Sequence, residues 1–585
     1  MILQSLNAYY ERKSRTGELA PEGFEPKEIP FVLVIDGEGR LVQIDDTRSG
    51  EGKKKTGRSF LVPQAVKRSV GIAANLLWDT AEYVLGFARE GGKPERVIQQ
   101  HAAFKTRINE LSATANDIAL NAVQHFLETI DITQLEADPL WPEIRDNNPN
   151  LTFRLSGDAA DTPVCLRPAV ITALLAPHTH EQAEPAFCLV RGESDITARL
   201  HPSIKGVWGA QSSGANIVSF NLDAFNSFGK TQSYNAPVGE KAAFAYTTAL
   251  NHLLRKGSHQ RMQVADASSV FWADADSKFV DLFAALFGDI DKDDPDRGLD
   301  AMRNLLAATT NGVYREEDAE TRFCVLGLAP NAARIAIRFW QVGPVRDFAK
   351  HIRQHFIDLE IACPDYETPY LSLYRLLTSI ALQYKAENIP PNLAGETMRA
   401  VLAGTPYPSI LLQSAIRRCR AEQKIGYQRA AIIKACINRL IRFHRNSAKE
   451  LHMSLDIENL DPAYRLGRLF AALERIQNTA QPGINATIRE RYYGAASSSP
   501  SSVFPVLLRL KNHHLAKIDK PGIVVWLEKL LIEIFSGIRN FPSHLDLPSQ
   551  GLFAIGYYHQ QQDFYSGKNK SAEVLPTEDT TKESV

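Results

Sequence analysis

The spacing of hydrophobic and polar positions changes several times along this chain, and the changes outline its organisation. Ile2 to Arg12 suits a short opening helix. PFVLVIDGEGRLVQID (30–45) gives two β-rich runs around Asp36-Gly37-Glu38-Gly39, a hairpin signal. SVGIAANLLWDTAEYVLG (69–86) predicts a helix with Leu76, Leu77, Ala81 and Val84 on its apolar face, and helical segments fill 95–132. From 151 to 240 the texture turns to short β-rich pieces, such as LTFRL (151–155) and FCLVRG (187–192), broken by Gly, Pro and Ser. KAAFAYTTALNHLLRK (241–256) returns to helix. VFWAD (270–274) predicts a strand, and FCVLGLAPNAARIAIRFWQ (323–341) a hairpin leading into a helix over 345–361. Beyond 366 nearly everything reads as helix, until SGKNKSAEVLPTEDTTKESV (566–585), which is polar, lacks periodicity and is expected to be disordered.

The pattern predicts an α+β protein: a mixed N-terminal and central region, then an all-α C-terminal bundle. The expected divisions are 1–150, an N-terminal region with a basic loop; 151–365, a central β-rich region with an amide-rich segment; 366–452, a basic helical connector; and 453–565, the bundle. At 585 residues the chain exceeds a single core. Its 44% hydrophobic and 23% charged content is that of an ordinary soluble protein. No stretch approaches 18 uncharged apolar residues, and the opening lacks a signal-peptide pattern, so a cytosolic, non-membrane protein is expected. Cys165, Cys188, Cys324, Cys363, Cys419 and Cys436 never form a Cys-x-x-Cys pair, which predicts buried thiols with neither disulfides nor zinc.

Enzyme signatures are refused one by one. SFGKTQS (227–233) contains Gly-Lys-Thr, but the glycine a phosphate-binding loop needs earlier is Ala224. DIDKDDPD (289–296) has Asp294 where a calcium loop turns on glycine. The adjacent His513 and His514 point apart on a helix, and His559 stands alone beside aromatics. No spacing assembles nucleophile, base and orienting group, so a non-enzyme without cofactors is expected. The alternative is a metal-dependent nuclease using the acidic loop 289–296.

Three stretches suggest nucleic acid instead. In GKKKTGRSFLVPQAVKRS (52–69), Lys53, Lys54, Lys55, Arg58, Lys67 and Arg68 form a cluster suited to sequence-blind phosphate contact, with Ser69 beside them and glycines allowing close approach. WGAQSSGANIVSFNLDAFNSFGKTQSYNAPVGEK (208–241) is rich in amides. Gln211, Ser213, Asn216, Gln232 and Asn235, with Asn75 from the earlier segment, are candidate base readers, and Lys230 is a backbone contact. QSAIRRCRAEQKIGYQRAAIIKACINRLIRFHR (413–445) carries nine cations, among them Arg417, Arg418, Arg429, Arg439 and Arg442, against the single acid Glu422. Further on, Arg509, Lys511, Lys517 and Lys520 are expected to face nucleic acid.

Longer blocks carry a resemblance. MILQSLNAYYERK, GRSFLVPQAVKRSVGIAANLLWDTAEYVLG (57–86), SSGANIVSFNLDAFNSFGKTQSYNAPVGEKAAFAYTTALNHLL (212–254) and FPSHLDL…QGLFAIGYYHQQ (541–561) together resemble the large subunit of the bacterial type I-C CRISPR surveillance complex, Cascade. The resemblance implies a non-catalytic subunit of an RNA-guided ribonucleoprotein. Such a subunit recognises a short motif (the PAM) in duplex DNA, helps open the duplex, steadies the displaced strand of the R-loop and supports recruitment of a helicase-nuclease. Its implied partners are the target DNA, the CRISPR RNA, and the backbone and RNA-end-capping subunits. A small subunit resembling the C-terminal bundle is expected from an internal start at Met453, since Lys449-Glu450 permits an AAGGAG ribosome-binding sequence upstream; Met398, after Gly395-Glu396, is the other possibility.

Overall fold

The structure is a computed structural model. It describes every residue except 51–54, 67, 69–70, 177–184, 221, 265–266, 289–296, 311–318, 391, 445–447, 485 and 573–585. The fold is α+β with a helical C-terminal region, as the pattern predicts. The chain forms two compact units: Met1–Ile204 with Asn216–His252, and Lys205–Ala215 with Leu253–Val585.

In the first unit, FVLVI forms β2 (Phe31–Ile35), buried along its whole length, as befits the inner strand of a sheet covered on both faces. It pairs antiparallel with β3 (Leu41–Asp46), closing the expected hairpin, and parallel with β6 (Asn150–Leu155). β5 (Trp78–Thr80) completes the order β3-β2-β6-β5. The helices Pro94–Ser112 and Ile118–Thr129 supply Phe104 and Phe126, whose rings meet Phe153 of β6. Asp117 caps the second of these helices, accepting from the Ala119 and Leu120 amides. The division expected at 150 therefore falls within a strand that the N-terminal sheet needs. Beside the sheet, β1 (Phe24–Ile29) and β4 (Arg58–Pro63) make a two-stranded antiparallel ribbon.

Two expectations fail here for local reasons. The helix expected over 69–86 is only Ala81–Leu85. Before it, the backbone turns through Leu77 at φ 63°, and the buried Asp79 carboxylate takes the amides of Asn75 and Thr80. Those bonds stabilise a turn in competition with the helix. The strand expected over 187–192 shrinks to a two-residue pairing of β7 (Ala186–Phe187) with β8 (Ser194–Asp195), around a turn with Gly192 at φ 74°.

In the second unit, β9 (Arg261–Val264), β10 (Ala267–Ala273), β11 (Arg322–Asn331) and β12 (Arg334–Pro344) form an antiparallel sheet in the order β12-β11-β10-β9. Phe271, Phe323 and Phe339 share a core with the helices Lys278–Phe287 and Val345–Leu359. That core continues without a break into Leu393–Ala403, Ser409–Glu422 and Tyr427–Phe443, so no core boundary lies at 365. A second core, around Leu469, Phe470, Phe504 and Phe553, joins the helices Pro462–Ala480, Ile488–Ala496, Pro500–Leu515, Pro521–Phe535 and Leu547–Ala572. The last helix runs to Ala572, seven residues into the tail expected to be disordered; the rest of that tail, 573–585, lies outside the described residues.

The first and last helices of this group cross at two glycines. A Cβ on Gly467 would sit 2.0 Å from the Phe553 carbonyl oxygen, and one on Gly556 would sit 2.0 Å from that of Tyr464. We expect Gly467→Ala to force the helices apart and destabilise the C-terminal core by about 1–3 kcal/mol. Hydrogen exchange of Pro462–Ala480 and Leu547–Ala572 checks this, and unchanged protection would contradict it.

Candidate nucleic-acid interface

The described residues flanking the basic loop are held by backbone pairing. Ser49 and Thr56 exchange backbone hydrogen bonds of 3.0 Å in each direction and close its stem. Thr47 stitches the stem to the β1–β2 junction: its amide donates to the Pro30 carbonyl at 3.0 Å, and its hydroxyl accepts from the Arg58 amide at 3.2 Å. Gly57 serves this packing and not an approach to a ligand, because a Cβ there would lie 2.7 Å from the Pro30 nitrogen. Lys55 and Arg58 are exposed, and the Arg58 guanidinium lies 5.2 Å from the Phe60 ring centre. Ribbon register puts Lys27 opposite Phe60 and Ile29 opposite Arg58, so Lys27 and Arg58 share one face. Lys27 extends over the Trp78 ring at 5.0 Å. Arg48, by contrast, is consumed by Asp46 and Glu143 and stacks 4.5 Å from the Phe31 ring. Its hydrogen bond holds the Asp46 carboxyl below the usual range. Lys53, Lys54, Lys67 and Ser69 lie outside the described residues.

Arg68 and Asn75 are structural, correcting the sequence expectation. Arg68, still exposed, pairs with the buried Asp79, donates to the Ala73 carbonyl at 2.6 Å and covers the Tyr83 ring at 4.2 Å. Asn75 is 5% exposed and accepts from the Val66 amide at 3.0 Å. Burial pushes the Asp79 carboxyl above its ordinary range, against the bonds from Asn75 and Arg68. A carboxylate in that setting needs its guanidinium to stay ionised inside.

The amide-rich segment is divided between the two units. Gln211 and Ser213 are exposed but belong to the second unit, whereas Asn216, Gln232 and Asn235 belong to the first. Asn216 donates to the His201 and Pro202 carbonyls at 3.0 and 2.9 Å. Gln232 accepts from Arg199 at 3.1 Å. Asn235 accepts from the Ser227 amide at 3.0 Å and donates to the Lys230 and Gln232 carbonyls at 3.0 and 2.9 Å. Asn216 and Asn235 thus brace loops, and their amides are engaged with backbone. Lys230 itself is exposed. Nothing in the hydropathy pattern singles out its neighbour Phe228, which stands fully in solvent at the tip of the turn Asn235 holds.

The basic helices divide their cations: Arg429, Lys434 and Arg439 are buried, whereas Arg420, Lys424 and Arg442 are exposed. Arg429 and Arg439 have side chains only 3% exposed, the reverse of the expected nucleic-acid face. Arg439 Nε donates to Asp358 at 2.8 Å, its Nη1 donates to the Ala400 and Thr405 carbonyls, and its guanidinium covers Tyr407 at 4.1 Å. Arg442 bridges Asp358 and Glu450 at 2.8 and 2.6 Å. Arg429 donates to the Ser379 carbonyl and, with Arg418, takes up Glu422. Asp358 and Glu450, acids outside 413–445, take up Arg439 and Arg442, which a count within that stretch cannot register. Arg417 remains exposed, as do Arg509, Lys517 and Lys520, with Lys511 partly so. Met453 is half-exposed, and its carbonyl accepts from the Ala362 amide at 2.7 Å.

All six cysteines are free, five of them buried and Cys363 partly so. Among the described residues no group of three His, Cys, Asp or Glu side chains could hold a metal ion, and the acidic run 289–296 lies outside them. No described helix is long and apolar enough to cross a membrane.

Residues 6–565 match the family model for CRISPR-associated protein (Cas_Csd1), and the chain belongs to that family. No curated protein matches the sequence.

Three outcomes follow from this geometry. Asp358→Ala leaves Arg439 buried without its carboxylate and should cost about 3–5 kcal/mol of stability. Burial alone would raise the Asp358 pKa, but hydrogen bonds from Arg442, Gln354 and Arg439 leave it below the ordinary value. Its stabilising contribution is therefore complete above the unfolded-state pKa of about 3.9 and lost as pH falls through the lower folded value. Acid unfolding of the variant should be correspondingly flatter across that window, and identical acid curves would contradict the assignment. Separately, Arg68→Ala should lower thermal stability, read by circular dichroism, without changing any salt slope of DNA binding. Lys55→Ala with Arg58→Ala should leave the melting curve intact and reduce that slope by about 0.9 log unit per lost phosphate contact.

Proposed function

We propose that this chain is the non-catalytic large subunit of a type I-C CRISPR surveillance complex, reading the PAM in duplex DNA and gripping the flanking backbone. The supporting observation is the family match over residues 6–565, joined to exposed basic residues beside a stem stitched in place by Thr47. Lys55 and Arg58, together with Lys27 on the same ribbon face, supply sequence-independent phosphate contacts. Gln211 and Ser213 remain the free amide and hydroxyl candidates for base edges. The guide RNA reads the target by pairing, while the backbone and end-capping subunits hold that RNA in the cytoplasm. The chain steadies the opened duplex and the displaced strand and presents a surface to the helicase-nuclease.

An internal start at Met453 supplies the small subunit. Residues from there onward contain the whole second core around Phe470 and Phe553. In such a product, Gly551, Ala554, Ile555 and Tyr558 would lose their cover from the Tyr427–Phe443 helix and meet a neighbouring subunit instead.

Binding of a PAM-bearing duplex to complex assembled with and without this chain tests the function. Loss of binding without the chain is expected, and unchanged binding would refute the proposal. Incubation of the complex with DNA and Mg²⁺ should yield no cleavage in the absence of the recruited nuclease. Mass spectrometry of the purified complex should find a short chain beginning at Met453.

A further inference from the structure

Ser227, Phe228, Gly229 and Lys230 form a two-residue hairpin turn. The Lys230 amide donates to the Ser227 carbonyl at 2.9 Å, and the reverse bond is 3.4 Å. Phe228 has φ 51° and Gly229 φ 73°, so both central residues are left-handed, as a type I′ turn requires. Gly, Asn and Asp suit the first of those places; a bulky aromatic there is a strained choice. The ring gains nothing in return from folding. It is 98% exposed, and among the described residues no large apolar side chain is more so. A strained backbone and an unburied ring at one residue together mark a contact made with something outside the chain.

The turn is also held still. Asn235 takes the Ser227 amide and gives its own two N–H groups to the Lys230 and Gln232 carbonyls. The backbone that carries the ring is thereby braced, which lowers the entropy lost on ordering the turn when it binds. Lys230 is exposed next to it, and Gln232 steadies Arg199 close by. One bare aromatic face with a cation at its side matches a nucleotide: the base stacks on the ring and the adjoining phosphate meets the ammonium.

We propose that Phe228 is a nucleobase-stacking residue that receives an unpaired base of bound DNA, with Lys230 on the neighbouring phosphate. The assignment rests on the DNA-binding reading above and deepens it. The test uses assembled complex and PAM-bearing duplexes carrying 2-aminopurine at one position at a time. Phe228→Asn removes the ring while suiting the turn, so misfolding is not the expected outcome. It should weaken binding by about 5- to 150-fold and abolish a fluorescence change that wild type shows at one position. Phe228→Trp should bind like wild type, and its added emission should be quenched by DNA. Wild-type affinity and fluorescence in Phe228→Asn would overturn the stacking role while leaving the DNA-binding reading intact. So would unquenched emission in Phe228→Trp. If wild-type complex binds no DNA, the DNA-binding reading itself fails, and the stacking role falls with it.

Discussion

A carboxylate taken out of water at Asp358 is tolerable only because guanidinium groups meet it there, and much of the second unit is arranged around that need. Burial disfavours the ionised carboxyl, while Arg439, Arg442 and Gln354 restore it with direct hydrogen bonds. Arg439 then spends its remaining N–H capacity on the carbonyls of Ala400 and Thr405, so a single side chain ties the Val345–Leu359, Leu393–Ala403 and Tyr427–Phe443 helices. Lys434 adds a bond to the Asp358 backbone carbonyl from within the same interior. The segment leading to Met453 is drawn in by the same helix: Asn438 exchanges two hydrogen bonds with Leu451, and Arg442 reaches Glu450.

Cations are therefore poor guides to function when their acids lie far off in sequence. Nine against one within 413–445 reads as a surface, yet Asp358 is more than fifty residues upstream of that stretch and pairs with Arg439 and Arg442 at its C-terminal end. The basic loop is the contrasting case. There the acids Asp46 and Glu143 are occupied by Arg48, and Lys55 and Arg58 stay in solvent. Position on the fold separates the two stretches, and only packing reveals position.

Legibility in the sequence followed the range of the forces involved. The hairpin at 30–45, the strands at 323–341 and the helices beyond 366 arise from local periodicity and turn chemistry, and they were readable. The loop preceding Trp78 depends on a buried aspartate bonded to backbone four residues away, and its apolar spacing imitates a helix. Asn216 and Asn235 look like any exposed amide until their carbonyl partners are known. The exposure of Lys55 and Arg58 follows from the glycines and polar residues around them. Phe228 could not be singled out, since one aromatic beside Gly-Lys carries no periodic signal.

The close crossing at Gly467 and Gly556 has a consequence for synthesis. Its two halves are almost ninety residues apart, and every turn of the contact needs backbone from both. The Pro462–Ala480 helix can therefore pack on the Pro500–Leu515 and Pro521–Phe535 helices as they emerge, but its Gly467 face stays uncovered until the final helix follows. This core therefore closes only after the Leu547–Ala572 helix has been made, and until then the face that Gly467 offers is open to a chaperone or to another copy of the same helices.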